Sequence, residues 1–296
     1  MFLTNVFENS NFVVAVCRCA ELFGSAKSAC IVERAPGVFS IHRSMLPFRD
    51  HGPTDAQPLF LLLHFFGGSH REWDGVVALL QDRHRLIAAD MAGFGEAASL
   101  EGFSVDAMCS RIRGILSYLA PAPVILVSHS MTGKAAMVVA AQPPSNLVGL
   151  VLVAPSPLAG EPMDDAARAE MRIANTTRAR AEQFTRNGFA HAPSAEIFEI
   201  AVEDVLRSSD AAFHAWPDDG TREDWSGRVT SLQVKALLVV GEKDKAIDPE
   251  LQRSQTLPLV AATGGRMHLL PDTAHLIPYE QPEQLANILE EFAREV

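Results

Sequence analysis

The sequence predicts an α/β fold in which a mostly parallel central sheet is flanked by helices and interrupted by an inserted helical segment. Several short runs are apolar throughout, which is typical of parallel strands that are buried on both faces. Segments with helical spacing separate these runs. Residues 158–228 contain no strand-like run and are rich in alanine, arginine and acids. The predicted strands of the sheet are residues 59–63, 83–89, 124–127, 147–154, 234–240 and 266–270.

Length and composition limit the classes of protein that the sequence can represent. Its 296 residues, 48% of them hydrophobic and 21% charged, suffice for one large domain with an insertion. The net charge of −11 and the lack of a basic patch argue against a nucleic-acid partner. No apolar run reaches the roughly 18 residues of a membrane span, so no membrane partner is expected. The four cysteines show no metal-site spacing and predict reduced thiols in a cytoplasmic protein.

Residues 1–37 are expected to be an N-terminal extension whose structure the sequence does not define. NFVVAVCRCAELF has the apolar spacing of a helix, but Arg18 interrupts its short apolar centre and no basic residue precedes it. We therefore do not expect a secretory signal, and we interpret the segment as an amphipathic helix packed on the main domain or as a poorly ordered extension. From Val38 onward, VFSIH and MLPFRDHG predict the two strands of a hairpin, with a loop at 50–58.

The strand at 83–89 leads into a turn that is predicted to be structural. In the sequence DMAGFGEA, Gly93 and Gly95 permit a tight turn, and Asp90 is interpreted as fixing it by hydrogen bonds. After this turn, Val105–Leu119 has the spacing of an amphipathic helix.

The stretch VILVSHSMTGKAAMVVAA predicts a buried strand, a tight turn and a helix from about Gly133. Ser130 lies at the apex of the turn, above the carboxyl edge of the sheet. The N–H of Met131 opens the helix, where positive partial charge collects. A nucleophilic oxygen and a donor for the charge that it generates are therefore adjacent in sequence. The alternative is an ordinary strand–turn–helix with a surface serine.

Within this stretch, SHSMTGK resembles the nucleophile elbow G-x-S-x-G of the α/β-hydrolase superfamily. The resemblance implies that Ser130 is the nucleophile. Ser128 and Thr132 stand at two positions where the family usually has glycine. Glycine is usual there because the strained serine leaves little room for neighbouring side chains. Serine is small enough for such a place, whereas the β-branched threonine suits it less. Lys134 on the following helix is given no catalytic role.

The end of the first core strand, His64-Phe65-Phe66-Gly67-Gly68, resembles the H-G-F/W sequence of the same family. The resemblance implies that the backbone N–H groups of Phe66 and Met131 form the oxyanion hole. Phe65 departs from the usual glycine, and its side chain can narrow the hole or force another backbone course. His64 is interpreted as a structural histidine that hydrogen-bonds the loop backbone.

The last two strands are followed by sequences that resemble the acid and base segments of the family. GEKDKAIDPE resembles the G-x-x-D turn and implies Asp244 as the acid, while Asp248 precedes a proline and suits a helix cap. PDTAHLIPYEQP resembles the G-H-x-x-x-x-E-x-P ending and implies His275 as the base. Ser130, Asp244 and His275 follow the chain order expected for this fold, each just past a predicted strand.

Residues 158–229 are expected to form a helical cap of three or four helices. The strand before it ends in Pro155-Ser156-Pro157 without a carboxylate, and Glu161 and Asp164 are interpreted as helix-start residues. Aromatic residues of this segment are candidates for lining an acyl pocket or, more commonly, for the core of the cap. They are Phe184, Phe189, Phe198, Phe213 and Trp216. Residues 38–157 and 230–296 are the two expected parts of the α/β-hydrolase core.

The implied reaction is cleavage of a small carboxylic ester, or a related acyl compound, through an acyl-serine. A carbon–carbon bond hydrolase or a lactonase on the same triad stays open, as does a weakly active small-molecule receptor. The serine at the apex argues against haloalkane dehalogenases and epoxide hydrolases, which place aspartate there. No metal or organic cofactor is expected, and the sequence leaves the oligomeric state open.

Overall fold

The computed structural model describes the backbone of residues 6–9 and 12–15 and all of residues 47–296. The chain divides into two units, residues 1–46 and residues 47–296. In the first unit, β1 (Val6–Asn9) pairs antiparallel with β2 (Phe12–Ala15). The helical interpretation of NFVVAVCRCAELF is therefore wrong for Phe12–Ala15, where an aromatic and two β-branched valines favour a strand. The rest of that segment and the predicted strand VFSIH lie outside the described residues.

The second unit is built on a seven-stranded sheet, which confirms the predicted fold class. Its strands are β3 (Phe48–His51), β4 (Leu59–Leu63), β5 (Leu86–Ala89), β6 (Val124–His129), β7 (Leu147–Val153), β8 (Lys235–Gly241) and β9 (Met267–Leu270). Their spatial order is β3-β5-β4-β6-β7-β8-β9, and every pair is parallel except β3 with β5. The strand predicted in MLPFRDHG thus pairs with β5, which lies further along the chain, and it includes Asp50 and His51 of the predicted loop.

Helices cover both faces of the sheet. They are α1 (Asp74–Leu80), α2 (Val105–Leu119), α3 (Met131–Ala141), α4 (Asp165–Arg172), α5 (Arg178–Asn187), α6 (Ala195–Arg207), α7 (Asp210–Ala215), α8 (Pro249–Leu251), α9 (Leu257–Ala261), α10 (Ile277–Glu280) and α11 (Pro282–Ala293). On one face, α1 and α11 pack over side chains such as Phe60, Leu62 and Val127. The alternate side chains of these strands point to the opposite face, and there α2 packs against α3. This covering explains why the central strands are apolar throughout.

Between β7 and β8 the chain forms α4 to α7, followed by a π-helical turn at Trp216–Gly220. We call residues 158–229 the insertion. A buried lysine of the core connects the insertion to helix α3. Lys134 on α3 donates from Nζ to the carbonyl oxygens of Gly220 (2.8 Å) and Glu223 (3.1 Å) and lies over the ring of Trp216. In the part of the chain that the structure describes, no helix has the length and apolar character needed to cross a membrane.

A buried carboxylate on α6 provides the second attachment of the insertion. Asp204 is fully buried and accepts hydrogen bonds from Ser69 Oγ (2.7 Å) and from Nη2 of Arg71 (2.6 Å). Arg207, one turn further along α6, forms an ion pair with the same carboxylate. Ser69 and Arg71 belong to the segment that follows β4, so Asp204 joins the insertion to a loop of the core.

We expect Asp204→Ala to reduce the free energy of unfolding by about 3 kcal/mol, because Arg71, Arg207 and Ser69 lose the buried carboxylate that they share. Urea unfolding of the purified variant measures this loss. Glu203→Ala is the matched control, since Glu203 pairs with the same Arg71 but its side chain is 52% exposed. That variant should lose less than about 1 kcal/mol. Equal losses in the two variants would contradict the assigned attachment.

Candidate active site

Ser130 forms the turn between β6 and α3. Its φ of 53° and ψ of −113° place it in a region that a serine adopts only when its surroundings impose it. Its N–H donates to the carbonyl of Val153 (2.9 Å), and its carbonyl accepts from the N–H groups of Gly133 and Ser156 (2.9 Å each). These three hydrogen bonds hold the strained backbone against β7 and the segment that follows it.

The two positions at which the family usually has glycine are both fully buried. Thr132 Oγ1 lies 3.0–3.2 Å from the carbonyl oxygens of Leu63, His64 and His129, which share the single hydrogen of its hydroxyl as acceptors. Threonine therefore fits because its hydroxyl links the turn to the end of β4. Close approach is required one residue later, where a Cβ on Gly133 would lie 2.5 Å from that of Pro155.

The structure brings Ser130, His275 and Asp244 together from three separate loops. His275 Nε2 lies 2.8 Å from Ser130 Oγ, and His275 Nδ1 lies 2.8 Å from Asp244 Oδ2. The other carboxylate oxygen, Oδ1, accepts from the backbone N–H groups of Ala246 (2.8 Å) and Ile247 (3.0 Å). These two backbone hydrogen bonds fix the orientation of the carboxylate independently of its contact with His275.

Asp248, the alternative acid, occupies a different place. Its carboxylate accepts from the N–H of Glu250 at 2.7 Å and caps α8. The predicted distinction between the two aspartates in GEKDKAIDPE thus agrees with the geometry.

The loop after β4 places Phe66 at the cavity that Ser130 also lines. His64 Nε2 accepts from the N–H of Met91 (2.9 Å), and His64 Nδ1 donates to the carbonyl of Phe65 (2.7 Å), which confirms its interpretation as a structural histidine. The ring of Phe65 packs on that of His129 at 5.4 Å. A Cβ on Gly68 would lie 2.5 Å from the Phe65 ring, so glycine at 68 makes room for phenylalanine at 65.

The backbone N–H groups of Phe66 and Met131 both lie near Ser130. Phe66 lines the same cavity as Ser130, and Met131 follows Ser130 directly in the chain. Among the residues that the structure describes, none accepts a hydrogen bond from either group. Buried backbone donors are rarely left without a partner, so two such groups beside a nucleophile suggest an acceptor on a bound molecule.

Comparison with known proteins agrees with this geometry. A family model described as "Alpha/beta hydrolase family" matches residues 60–288, which is most of the chain. The chain belongs to the alpha/beta hydrolase family.

Individual relatives of this family show how far the similarity extends. The dihydrolipoyllysine-residue acetyltransferase component of the acetoin cleaving system of Pseudomonas putida is 26% identical over 88% of this chain and 70% of its own length. Several other curated relatives are matched over less than half of their own length. Among solved structures, a thermophilic esterase from Thermogutta terrifontis has a TM-score of 0.70 and 25% identity, covering 84% of this chain and 93% of the esterase. An enol-lactonase from Burkholderia xenovorans LB400 has the same fold, with a TM-score of 0.70 and 18% identity over 84% of this chain and 96% of its own.

The turn that contains Ser130 borders a cavity at the carboxyl edge of the sheet. The cavity has a volume of about 1130 Å³, and residues of the core and of the insertion line it together. Of the predicted aromatic residues, Phe184, Phe189 and Trp216 line the cavity. Phe213 is fully buried against Phe66 (ring centroids 4.5 Å apart), and Phe198 stacks on Arg186.

Burial and charge act in opposite directions on His275. Burial lowers the pKa of its imidazole, whereas the charge and hydrogen bond of Asp244 raise it, with a smaller contribution from Glu161. The net effect is a pKa raised above the ordinary value of 6.5. The charged form of His275 is thus stabilised relative to a free imidazole.

One carboxylate, that of Glu161, lies in a different place from the one that the sequence predicted. Asp164 caps α4 as expected, with its side chain accepting from the N–H of Ala167 at 2.7 Å. Glu161, interpreted as a helix-start residue, instead lines the cavity together with Ser130. Burial raises its pKa, while Ser156, Lys134 and other neighbours lower it. The proline-rich segment between β7 and α4 turns Glu161 inward, and no spacing in the sequence signals that turn.

Two further buried groups were not predicted as part of the site. Glu72, in the 3₁₀ turn at His70–Trp73, and His129, next to Ser130, lie 3.2 Å apart and are both almost completely inaccessible. Within the described residues, no cluster of three or more His, Cys, Asp or Glu side chains has an arrangement suited to a metal ion.

Proposed function

We propose that this alpha/beta hydrolase cleaves a small carboxylic ester, or a related acyl compound, through an acyl-enzyme. The observation that supports the proposal most directly is the continuous hydrogen-bonded series Ser130–His275–Asp244 at the wall of a large cavity. A hydroxyl, an imidazole and an oriented carboxylate in this order form a nucleophile that is activated by a base.

In the proposed first step, the Ser130 oxygen attacks the substrate carbonyl carbon while His275 Nε2 takes the hydroxyl proton. The negative charge that develops on the carbonyl oxygen accepts hydrogen bonds from the N–H groups of Met131 and Phe66. Collapse of the tetrahedral intermediate breaks the ester C–O bond, and His275 returns the proton to the departing alcohol. Asp244 holds the tautomer of His275 that carries hydrogen on Nδ1 and stabilises the imidazolium.

In the second step, water replaces the alcohol and attacks the acyl carbon of Ser130. His275 accepts a proton from this water and then donates it to Ser130 Oγ as the acid leaves. The proton transfers between Ser130 and His275 in this scheme use atoms that lie 2.8 Å apart. The reaction balances with one water consumed and one alcohol and one carboxylic acid released.

We infer that the insertion acts as a cap that shapes the acyl pocket. Phe184 and Phe189 on the insertion and Phe65 on the core supply apolar surface to the cavity, while Glu161 adds one carboxylate close to the reacting groups. The rest of the wall combines apolar side chains with charged ones such as Glu170, Arg180 and Lys243. Such a wall suits a small acyl compound that has both apolar and polar parts. The cytoplasmic location expected from the sequence stays a prediction.

A panel of substrates tests this proposal. Turnover of p-nitrophenyl acetate and butyrate is compared with that of a γ-lactone, an anilide and a β-diketone, each against a buffer blank. We expect the esters to give the highest kcat/KM. Preferred turnover of the lactone or the diketone would replace the ester assignment by the lactonase or the carbon–carbon bond hydrolase. Background rates throughout, with no labelling of Ser130 by a fluorophosphonate, would leave only a receptor.

The raised pKa of His275 predicts the acid limb of the pH profile. The imidazole must be neutral to take the proton of Ser130, so activity is lost as the pH falls through the pKa of His275. Since Asp244 raises that pKa above 6.5 despite burial, the midpoint in kcat/KM should lie above 6.5. The profile is measured with p-nitrophenyl butyrate between about pH 5 and about pH 9. A midpoint near or below pH 6 would show that burial outweighs the carboxylate.

A further inference from the structure

A second carboxyl–imidazole pair lies directly behind the proposed triad. Glu72 and His129 have relative exposures of 1% and 0%. Glu72 Oε1 lies 3.2 Å from His129 Nδ1, and His129 Nε2 lies 2.9 Å from the backbone carbonyl oxygen of His275. The second oxygen of Glu72 accepts from the N–H of Phe65 at 3.2 Å. The pair thus touches the loop of the base and the loop of Phe66.

These contacts fix the proton positions. A carbonyl oxygen only accepts, so His129 Nε2 must carry a hydrogen and donate to His275. If His129 is neutral, its Nδ1 then has a lone pair that faces Glu72 Oε1. An ionised carboxylate would place two lone pairs opposite each other at a position where both side chains are closed to solvent. The contact is favourable only if one proton lies between the two groups, either on Glu72 or on His129.

We propose that Glu72 is a neutral carboxylic acid that donates a hydrogen bond to His129 Nδ1. Through its contacts this pair positions both the loop of His275 and the loop of Phe66. The alternative, a carboxylate with an imidazolium, would bury a full ion pair against the base. Burying two charges costs more than burying a neutral hydrogen bond unless further bonds satisfy every oxygen and proton.

The surroundings of Glu72 favour its neutral form. Burial raises its pKa well above the ordinary value; His64 and His275 act in the opposite direction, as does the N–H of Phe65, while Asp204 adds to the rise. His64 itself is neutral by geometry, since its Nε2 accepts from a backbone N–H and its Nδ1 donates to a carbonyl. His64 therefore provides no cation that would keep Glu72 ionised.

The surroundings of His129 favour its neutral form as well. The pKa of His129 is lowered to about 3: burial lowers it most and neighbouring His275 lowers it as well, while the hydrogen bond to the His275 carbonyl and the charge of Asp244 act in the opposite direction. The rings of His129 and His275 are 5.2 Å apart. When His275 becomes an imidazolium, a second cation at this distance would oppose it. A neutral His129 supports the His275 loop without that repulsion.

Nuclear magnetic resonance of the wild-type protein, labelled with ¹⁵N-histidine, tests the proton positions directly. At neutral pH we expect His129 Nδ1 to show the shift of an unprotonated imidazole nitrogen and Nε2 that of a protonated one. The signals are assigned by their loss in His129→Asn. Two protonated nitrogens on His129 would overturn the proposal. This experiment needs no substrate, so it remains decisive even if the proposed ester hydrolysis fails.

Substitutions at Glu72 test the positioning of the loops, which rests on the proposed function. Glu72→Gln can donate to His129 Nδ1 through its amide and still accept from the N–H of Phe65. We expect this variant to keep kcat/KM for p-nitrophenyl butyrate within about threefold. Glu72→Ala leaves both partners without a bond, and a displacement of about 1 Å in the loops should lower kcat about 10²-fold with little change in KM.

The rate of labelling by a fluorophosphonate provides a second readout at Ser130, and it should follow the order wild type, Gln, Ala. A Gln variant that is folded but as slow as Ala would show that a carboxylate charge is needed and would overturn the neutral acid. An Ala variant with unchanged rates would overturn the positioning. If Ala does not fold, the Gln variant and the wild-type spectrum still decide the proton's location.

Discussion

Replacement of Ser130 by alanine is expected to lower kcat/KM for p-nitrophenyl butyrate by about 10⁴- to 10⁶-fold. In the proposed mechanism Ser130 Oγ is the only atom that bonds to the acyl group, so its loss removes the covalent route. The residual rate should come from binding and from the N–H groups of Met131 and Phe66, which alanine leaves in place. Labelling by a fluorophosphonate should disappear completely.

The fold should tolerate this change. Ser130 is held by its backbone hydrogen bonds, and alanine can make all of them. Ser128→Ala is a matched control, because Ser128 is a fully buried serine two residues earlier, in β6, whose hydroxyl has no hydrogen-bond partner among the described residues. We expect the control to keep turnover within about threefold, since it removes no interaction made in the transition state. Similar losses in both variants would point to a damaged turn rather than a lost nucleophile.

The sequence predicted well those features that local pattern determines. Continuous apolar runs identified the parallel strands, and the amphipathic spacing of Val105–Leu119 gave the limits of α2. Since parallel strands bring their carboxyl ends to one edge, residues far apart in the chain were expected to meet there. The contacts of Ser130, His275 and Asp244 follow that expectation.

Features that depend on packing between distant segments were not predictable in this way. The pair of Glu72 and His129 joins positions 57 residues apart, and neither residue type is unusual at its place in the sequence. Thr132 was expected to fit poorly because the sequence gives its β-branched shape. The sequence does not give the three carbonyl oxygens that surround its hydroxyl in the folded chain. Similarly, Phe65 looked obstructive until Gly68 was seen to make room for its ring. Burial and partners, rather than residue type, decide such positions.

Asp244→Asn is expected to lower kcat by about 10⁴-fold without changing the fold, through the tautomer of His275. Oδ1 of Asp244 accepts from the N–H groups of Ala246 and Ile247, so the oxygen of an asparagine amide will take this place. Its NH₂ group then faces His275 Nδ1 and donates to it. His275 must carry its hydrogen on Nε2, and that nitrogen can no longer accept the proton of Ser130.

This reversal distinguishes the two aspartates of the acid loop. Asp248→Asn keeps a side-chain oxygen that can accept from the N–H of Glu250 and cap α8. Because this change alters neither Ser130 nor His275, kcat should stay within about threefold of wild type. The NMR spectrum of His275 adds a direct check, since Asp244→Asn should exchange the protonated nitrogen from Nδ1 to Nε2. An Asp244→Asn enzyme with the wild-type rate would mean that the backbone alone orients His275 and that the carboxylate contributes little to the reaction.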